Sequence, residues 1–296
     1  MDKGPLHDAL IAGFEALSPQ LQAAARYVVD NPRDVALLSM REQARRAELQ
    51  PATMTRLAKH LGYDGYDAIR TLYKDAMRDR LAGFAGKAGA QAQHQKLLGD
   101  GALAAEILAS MREQIAHLAA PHALPRLAAA ATHLAQARTV YCLGLRASHP
   151  VAWHLHYILS LSGGKSVLLD GIAGTGADPI AQAEKDDALL VVSIMPYTRT
   201  SIEIAEYARS QGVPVIAVTD SEVSPLALMA DASVLVQTDS PSFFHSLVPA
   251  FAVAEVLGAL IAGHGGERTL AALKRSDAWL DAVQAHLPAS TVRTGS

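Results

Sequence analysis

Three short apolar runs constrain the fold of this chain more than any other feature: VYCLGL at 140–145, ALLVVSIM at 188–195 and PVIAVTD at 214–220. Each is too short for a globular helix and shows no polar alternation. Such runs mark strands buried on both faces of a parallel sheet. Stretches of helical period lie between them. The pattern predicts strand 140–145, helix 149–161, strand 165–170, a helix near 178–183, strand 188–195 and helix 199–211. It continues with strand 214–220, a short helix 224–229, strand 232–238 and a long apolar helix 244–261. Strands alternating with helices in this way specify the α/β class, a doubly wound parallel sheet in a three-layer αβα sandwich. Small anions bind in such folds where the carboxyl ends of strands face helix N-termini. Residues 140–220 are therefore expected to hold a small-molecule pocket.

The first 80 residues follow a different rule. Apolar positions recur at helical spacing, first at Leu6, Leu10, Ile11, Phe14 and Leu17, then at Leu21, Ala24, Ala25 and Val28 behind Ser18-Pro19. Ser at an N-cap followed by Pro at the first helical position is a helix start. Ser39, with Glu42 three residues later, forms a second start over Met40–Ala47. Another helix runs from Pro51 to His60 and stops at Gly62, and a third begins near Tyr66. Two short helices joined by a tight turn, the second rich in Thr, Arg and Lys, form the helix-turn-helix pattern. Ala44 falls at the crossing, Leu49 in the turn, and Met54 and Leu57 on the buried side. That leaves Gln50, Ala52, Thr53, Thr55, Arg56 and Lys59 for DNA. Glu48 occupies the turn position that suits glycine, at a cost of about 1 kcal/mol. The same spacing also suits an ordinary three-helix module with solvated charges.

Charge fits this division. The chain carries a net −3, but residues 1–80 carry +1 and the remainder −4, and 41–60 hold five basic residues against two acidic. A modest basic patch on a near-neutral domain permits nucleic-acid binding without requiring it. At 296 residues two domains are expected. No apolar run is long enough to span a bilayer, no cationic leader follows Met1, and the one cysteine, Cys142, lies within a strand. A cytoplasmic protein without membrane contact or a disulfide framework is expected.

The stretch LSPQLQAAARYVVDNPRDVALLSMREQARRAELQPATMTRLAKHLGYDGYDAIR resembles the N-terminal domain of the MurR/RpiR family of bacterial transcriptional regulators. The likeness covers roughly residues 10–78 and is marked by Leu17-Ser18, Asn31-Pro32, Leu38-Ser39, Ala52-Thr53, Arg56 and Leu61–Tyr66. It implies a sugar-isomerase (SIS) domain in the second half. The expected layout is a helix-turn-helix domain over 1–80, a linker and connecting helix over 81–121, a SIS-like ligand domain over 122–264, and a helix and tail over 265–296. Residues 81–101 are expected to be a partly helical linker, and a Gly-rich break is expected at 263–266.

The family's phosphate loop reads Ser-x-Ser-Gly-x-Thr/Ser after the third strand. Here the loop runs Ser193-Ile194-Met195-Pro196-Tyr197-Thr198-Arg199. Ser193 and Thr198 match, while Met195 and Pro196 replace the second serine and the glycine. Met offers no donor, and Pro removes a backbone N–H. Arg199 is placed to compensate as a charged donor. The first loop, Gly144-Leu145-Arg146-Ala147-Ser148, resembles the family's Gly-x-Gly-x-Ser with Arg146 in place of the second glycine. Arg146 either points to solvent or clamps an anion, and Ser148 either caps the following helix or meets ligand. The ligand set is then Arg146, Ser148, Ser193, Tyr197, Thr198, Arg199 and His245. Phe243 and Phe244 either wedge the last long helix against a partner subunit or wall a pocket in which His245 is the polar handle. The Gly-rich loop 170–178 lacks the lysine of a Walker A loop, and His149, His154 and His156 lack the spacing of a metal site.

These features lead to a ligand-responsive bacterial transcriptional regulator of carbohydrate metabolism, with no catalytic residues, metal or cofactor. Its partners are double-stranded operator DNA, a small anionic metabolite effector and further copies of itself, as a homodimer or homotetramer. The altered loop opens the effector class to a carboxylate beside the sugar phosphates that the family implies. Two rivals are a sugar-phosphate isomerase with an accessory helical domain, drawing its base from Glu203, Glu206 or His245, and a scaffold that only dimerises.

Overall fold

The computed structural model describes residue 14 and residues 17–164 and 166–286. The positions Leu6, Leu10 and Ile11, Lys165 of the second predicted strand, and the tail from Pro288 lie outside the described residues. Two compact units are present, one of residues 1–107 with 241–244, the other of 108–240 with 245–296.

The first unit is helical: α1 (Pro19–Asp30), α2 (Pro32–Leu37), α3 (Met40–Arg46), α4 (Pro51–His60) and α5 (Tyr66–Leu98). The Ser39 hydroxyl accepts from the Glu42 N–H at 3.3 Å, which caps α3. The Glu42 carboxylate does not close the reciprocal half of a capping box but engages Arg45 at 2.6 Å and Arg46 at 3.3 Å. Hydrogen bonds from Arg45 and then Arg46 hold the Glu42 carboxyl down at about 2. Leu17, Ala24, Ala25, Val28, Val35, Ala44, Met54, Leu57, Ala58, Tyr66 and Ile69 form the core. Gln43, polar by type and unmarked by any motif, is fully buried at its centre. Its amide donates to the carbonyls of Val35 (3.2 Å) and Leu38 (2.9 Å), and its oxygen accepts from the Tyr66 hydroxyl at 2.6 Å. One polar side chain thus joins the end of α2 to Tyr66 of α5, its polar groups satisfied as a buried amide's must be.

The stretch expected to be a partly helical linker is helical over most of its length. α5 runs to Leu98, bent where Gly83 leaves helical geometry (φ 56°), and α6 (Asp100–Leu118) follows Gly99. Ala, Gln and Lys in this stretch are strong helix formers, which outweighs the weak apolar patterning. Residues 241–244 belong to the first unit: the Phe244 ring stacks on Phe84 at 5.5 Å, and the Phe243 N–H donates to Gln91 Oε1 at 2.8 Å. The Phe244 ring is thus packed on α5, while the Phe243 side chain stays exposed.

The second unit holds α7 (Leu124–Gln136), β1 (Val140–Gly144), α8 (His149–Leu161), β2 (Ser166–Leu169), β3 (Ala188–Val192), α9 (Arg199–Ser210), β4 (Val215–Thr219), α10 (Pro225–Met229), β5 (Ala232–Leu235) and α11 (Val248–Ala282). The predicted helix near 178–183 is a 3₁₀ turn, Asp178–Gln182. All strand pairs are parallel in the order β2-β1-β3-β4-β5. Alternate residues divide between two faces. Val140, Cys142, Leu190, Val192, Ile216 and Val218 pack with α7, α8 and α11, while Tyr141, Leu143, Leu189, Val191, Val215 and Ala217 pack with α9 and α10. This is the expected three-layer αβα sandwich, and double-sided burial is why the strands read as unbroken apolar runs. Burial pushes the Cys142 thiol up to about 12, so it is an inert part of the core.

α11 begins at Val248, four residues later than predicted, and the expected Gly-rich break is present within it: Gly266 leaves helical geometry (φ 52°), and a second helical stretch follows to Ala282. By length and composition it could cross a membrane. Its inner face, Ala250, Val253, Ala254 and Leu257, is instead part of the sandwich core.

Candidate functional site

The first candidate surface is the outer side of α4. Met54 and Leu57 are fully buried, as the helical period predicts. Gln50, Ala52, Arg56 and Lys59 are exposed, and Thr55 is half-buried with its hydroxyl 3.5 Å from Met40 Sδ. Thr53 is a correction to the expected set: it is 1 % exposed and cannot reach a groove. Thr53 lies one residue before Met54, on the inward side of the helix. Its hydroxyl instead accepts from Arg56 Nη2 at 3.1 Å, and that nitrogen also donates to Gln20 Oε1 at 3.3 Å. Neutral partners thus steady the Arg56 guanidinium without cancelling its charge. Arg45 and Arg46 are committed to Glu42 and Asp34, which leaves Arg41, Arg56 and Lys59 to carry the surface field. Glu48 takes the left-handed conformation expected of the turn (φ 56°), and the Leu49 N–H closes on the Ala44 carbonyl at 2.8 Å.

The second candidate is the carboxyl edge of the sheet. The chain leaves β1 toward β2 on one side and leaves β3 toward β4 on the other, so β1 and β3 flank the switch point where α/β sheets bind ligands. Gly144 pairs with Val192, which sets the turn after β1 beside the loop after β3. A Cβ at Gly144 would stand 2.4 Å from the Ser148 carbonyl oxygen, so only glycine lets the turn fold this close to the strand. Arg146 opens a 3₁₀ turn, Arg146–Ser148, with φ 54°. It is exposed, and among the described residues no side chain pairs with it. Ser148 is 6 % exposed, and its hydroxyl makes no capping bond to α8.

The loop after β3 is built differently from the expectation. Ser193 is buried, and its hydroxyl accepts from the Thr198 N–H at 3.4 Å, closing the loop on itself. Thr198 precedes α9, but its side chain makes no capping bond. Arg199 does not act as the compensating donor in this arrangement. Its side chain is 90 % exposed and paired with Glu203 at 2.8 Å along the outer flank of α9. Met195, Pro196, Tyr197, Arg199, Ile202, Glu203 and Glu206 line an open hollow of about 610 Å³. Two carboxylates and one committed arginine make that hollow a poor receptor for an anion. His245 is half-buried just ahead of α11, past a strand at the sheet's far edge. Among the described residues no group of three or more His, Cys, Asp or Glu side chains is arranged to hold a metal. His156 is instead bonded to the Ser166 hydroxyl at 2.8 Å and His154 lies 3.6 Å from Glu255.

Comparison with known families and structures bears on the sandwich directly. Residues 133–260 match the SIS domain. The SIS-like unit is also similar to the crystal structure of an RpiR transcription factor from Sphaerobacter thermophilus (sugar isomerase domain), at 28 % identity and a TM-score of 0.55, over 60 % of this chain and 98 % of that one. The Vibrio vulnificus NanR protein complexed with ManNAc-6P shares the fold over 94 % of this chain and 99 % of its own, at 22 % identity and a TM-score of 0.53. No curated protein matches the chain. A SIS domain therefore accounts for the sandwich, with the helical unit preceding it in sequence.

Proposed function

We propose that the chain is a ligand-responsive transcriptional regulator of the MurR/RpiR type, acting in the cytoplasm as a homodimer or homotetramer. The observation that carries this reading is the SIS match over residues 133–260 in a chain that also exposes a short basic helix on a separate helical unit. Gln50 and Ala52 read base edges from the start of α4. Thr55 supports them, and Arg56 and Lys59 meet phosphate or a guanine edge. The SIS-like unit binds a small anionic metabolite at the β1–β3 switch point. Of the ligand residues expected there, Arg146 and Ser148 belong to the turn after β1. Ser193, Tyr197 and Thr198 shape the neighbouring loop, and Arg199 and His245 take peripheral roles. The similar NanR structure, a complex with ManNAc-6P, supports a metabolite of this general kind. Effector binding changes the placement of paired DNA-binding units, and with it the operator spacing that can be engaged.

An isomerase reading would need a general base beside the bound sugar. Glu203 is tied to Arg199 on an outward flank, which counts against it.

Selection of duplexes from a random library by the full chain tests the proposal. A paired half-site motif is expected. Arg56→Ala and Lys59→Ala should each weaken binding and lower the slope of log affinity against log salt by about 1. An unchanged slope in both variants would show that α4 is not the DNA-contacting helix.

A further inference from the structure

The chain passes between its two units at three points: within α6 after Ile107, after Ser240 and after Phe244. The last two passages bracket four residues, 241–244, that the loop between β5 and α11 lends to the helical unit. The base of this loop is firmly tied in the second unit. The Ser246 N–H donates to the Thr238 carbonyl at 2.9 Å, so 239–245 leaves and returns at one point, as an Ω-loop does. The Asp239 carbonyl accepts from Ser110 Oγ of α6 at 3.3 Å and also from Nε2 of the buried Gln114. All strands are parallel, so the loop leaves the sheet at the same carboxyl edge as the turns after β1 and β3. Backbone bonds lead to it from the β3 loop: the Ser193 N–H donates to the Val218 carbonyl at 3.1 Å, and the Val236 N–H to the Thr219 carbonyl at 2.9 Å.

The tip is held lightly. The Phe244 ring stacks on Phe84 at 5.5 Å, and the Phe243 N–H donates to Gln91 Oε1 at 2.8 Å. Phe84 remains 48 % exposed and Phe243 42 %. Contacts with so little burial open and close at small cost. Their seat on α5 adjoins a hinge. Gly83, the residue before Phe84, leaves helical geometry at φ 56°. A Cβ there would meet nothing within 4 Å, so glycine serves this position by its conformation and not by its size. Before the hinge, α5 starts at Tyr66, whose hydroxyl is bonded to Gln43 in the first helix of the helix-turn-helix.

We infer that loop 239–245 is a clip that carries the effector state of the SIS-like unit to the DNA-binding unit. Closed, it holds the α5 segment after Gly83 through Phe244 on Phe84; open, it releases that segment. The inference rests on the reading of the chain as an effector-responsive regulator, and adds to it the element that transmits the response. Coupling between sites needs an element with two discrete arrangements that both sites bias. A firm base at the ligand edge, a lightly seated tip and a glycine hinge beside that seat supply one.

Two measurements on the full chain test the clip. In the first, hydrogen exchange is followed by mass spectrometry without any ligand. Phe84→Ala should speed exchange of 239–246 at least about tenfold, although these residues are distant in sequence, and leave β1, β3 and β4 as in the parent. In the second, affinity for a selected operator duplex is measured without ligand and with saturating glucose 6-phosphate or gluconate. The parent should change at least about fivefold with one of these probes. Phe84→Ala, Phe244→Ala and the double variant should each change less than twofold, while probe affinity on free protein and operator affinity without probe stay within about threefold of the parent. The double variant should be no worse than either single one, as expected of two halves of one contact. Unaltered exchange in Phe84→Ala, or single variants that keep the parent's response, would overturn the clip and leave the regulator reading intact. A parent whose operator affinity responds to neither probe would overturn the regulator reading, and the clip's role with it, before any variant is made.

Discussion

Replacing Arg146 by glycine should make the protein more stable while removing its ligand. The left-handed backbone at this position costs a non-glycine residue about 1–2 kcal/mol. Glycine escapes that cost but gives back about 0.5–1 kcal/mol through its greater freedom in the unfolded chain. Among the described residues no side chain pairs with Arg146, so its loss subtracts little. The net gain is about 0.5–1 kcal/mol, which for a unit of this size raises the melting temperature by roughly 1–4 °C. Arg146→Ala is the matched control: it lacks the guanidinium but keeps the strained backbone, so it should melt close to the parent. Scanning calorimetry of the three proteins, with and without an anionic effector, separates the two effects. Glycine should give the highest unliganded melting temperature, and neither variant should respond to the effector. A glycine variant that melts below the alanine variant would show that the turn is unstrained. An effector shift surviving in either variant would remove the guanidinium from the ligand site.

The same logic applies to Glu48, the other strained turn. Glu48→Gly should stabilise the helical unit by about 1 kcal/mol, read from its unfolding transition, and leave DNA affinity unchanged. Gln43→Ala removes the partner of Tyr66, Val35 and Leu38 together, and should destabilise the same unit by about 3 kcal/mol with loss of DNA binding; retention of the parent melting temperature would contradict the hub. At the opposite edge of the sheet, Arg138 grips Asp187 through two bonds of 3.0 and 2.7 Å, and that pairing holds the Asp187 carboxyl below its usual range. A carboxyl depressed in the folded state stabilises the fold above its unfolded value of about 3.9 and loses that contribution as pH falls through the folded value. Asp187→Asn should accordingly lower stability at pH 7 and flatten its dependence on pH below about 4, measured by urea unfolding.

Much of this architecture was legible in the sequence because the physics is local or periodic. Val140–Gly144, Ala188–Val192 and Val215–Thr219 are apolar without interruption because both sheet faces are covered, and that pattern alone gives the layer order. Ser39, Pro51 and Gly62 punctuate the helices around α4 by cap and turn chemistry that acts within a few residues. Less of the candidate site could be read. Thr53 falls on the inner side of α4 because its neighbour Met54 fills the core, and its hydroxyl then finds Arg56; nothing in its residue type separates it from Thr55. Gln43 is hydrophilic by type and becomes central only because the end of α2 and Tyr66 of α5 leave polar groups at one point. Arg199 sits at the right sequence position for an anion donor, but Glu203 one turn later captures it, a pairing that the i, i+4 spacing did allow one to foresee. The stretch 81–101 lacked apolar period, yet helix propensity carried it, and within the Gly-rich 263–266 it is Gly266 that leaves helical geometry.

The central claim is that ligand and DNA are thermodynamically coupled through one chain. The direct measurement is the dissociation constant of the full protein for a selected operator duplex, without ligand and with a saturating anionic effector, together with the ligand's own dissociation constant on free and DNA-bound protein. The account predicts a change of at least about fivefold in operator affinity and an equal factor in the reciprocal measurement. Equal operator affinity in the two conditions, with the ligand demonstrably bound, would contradict it.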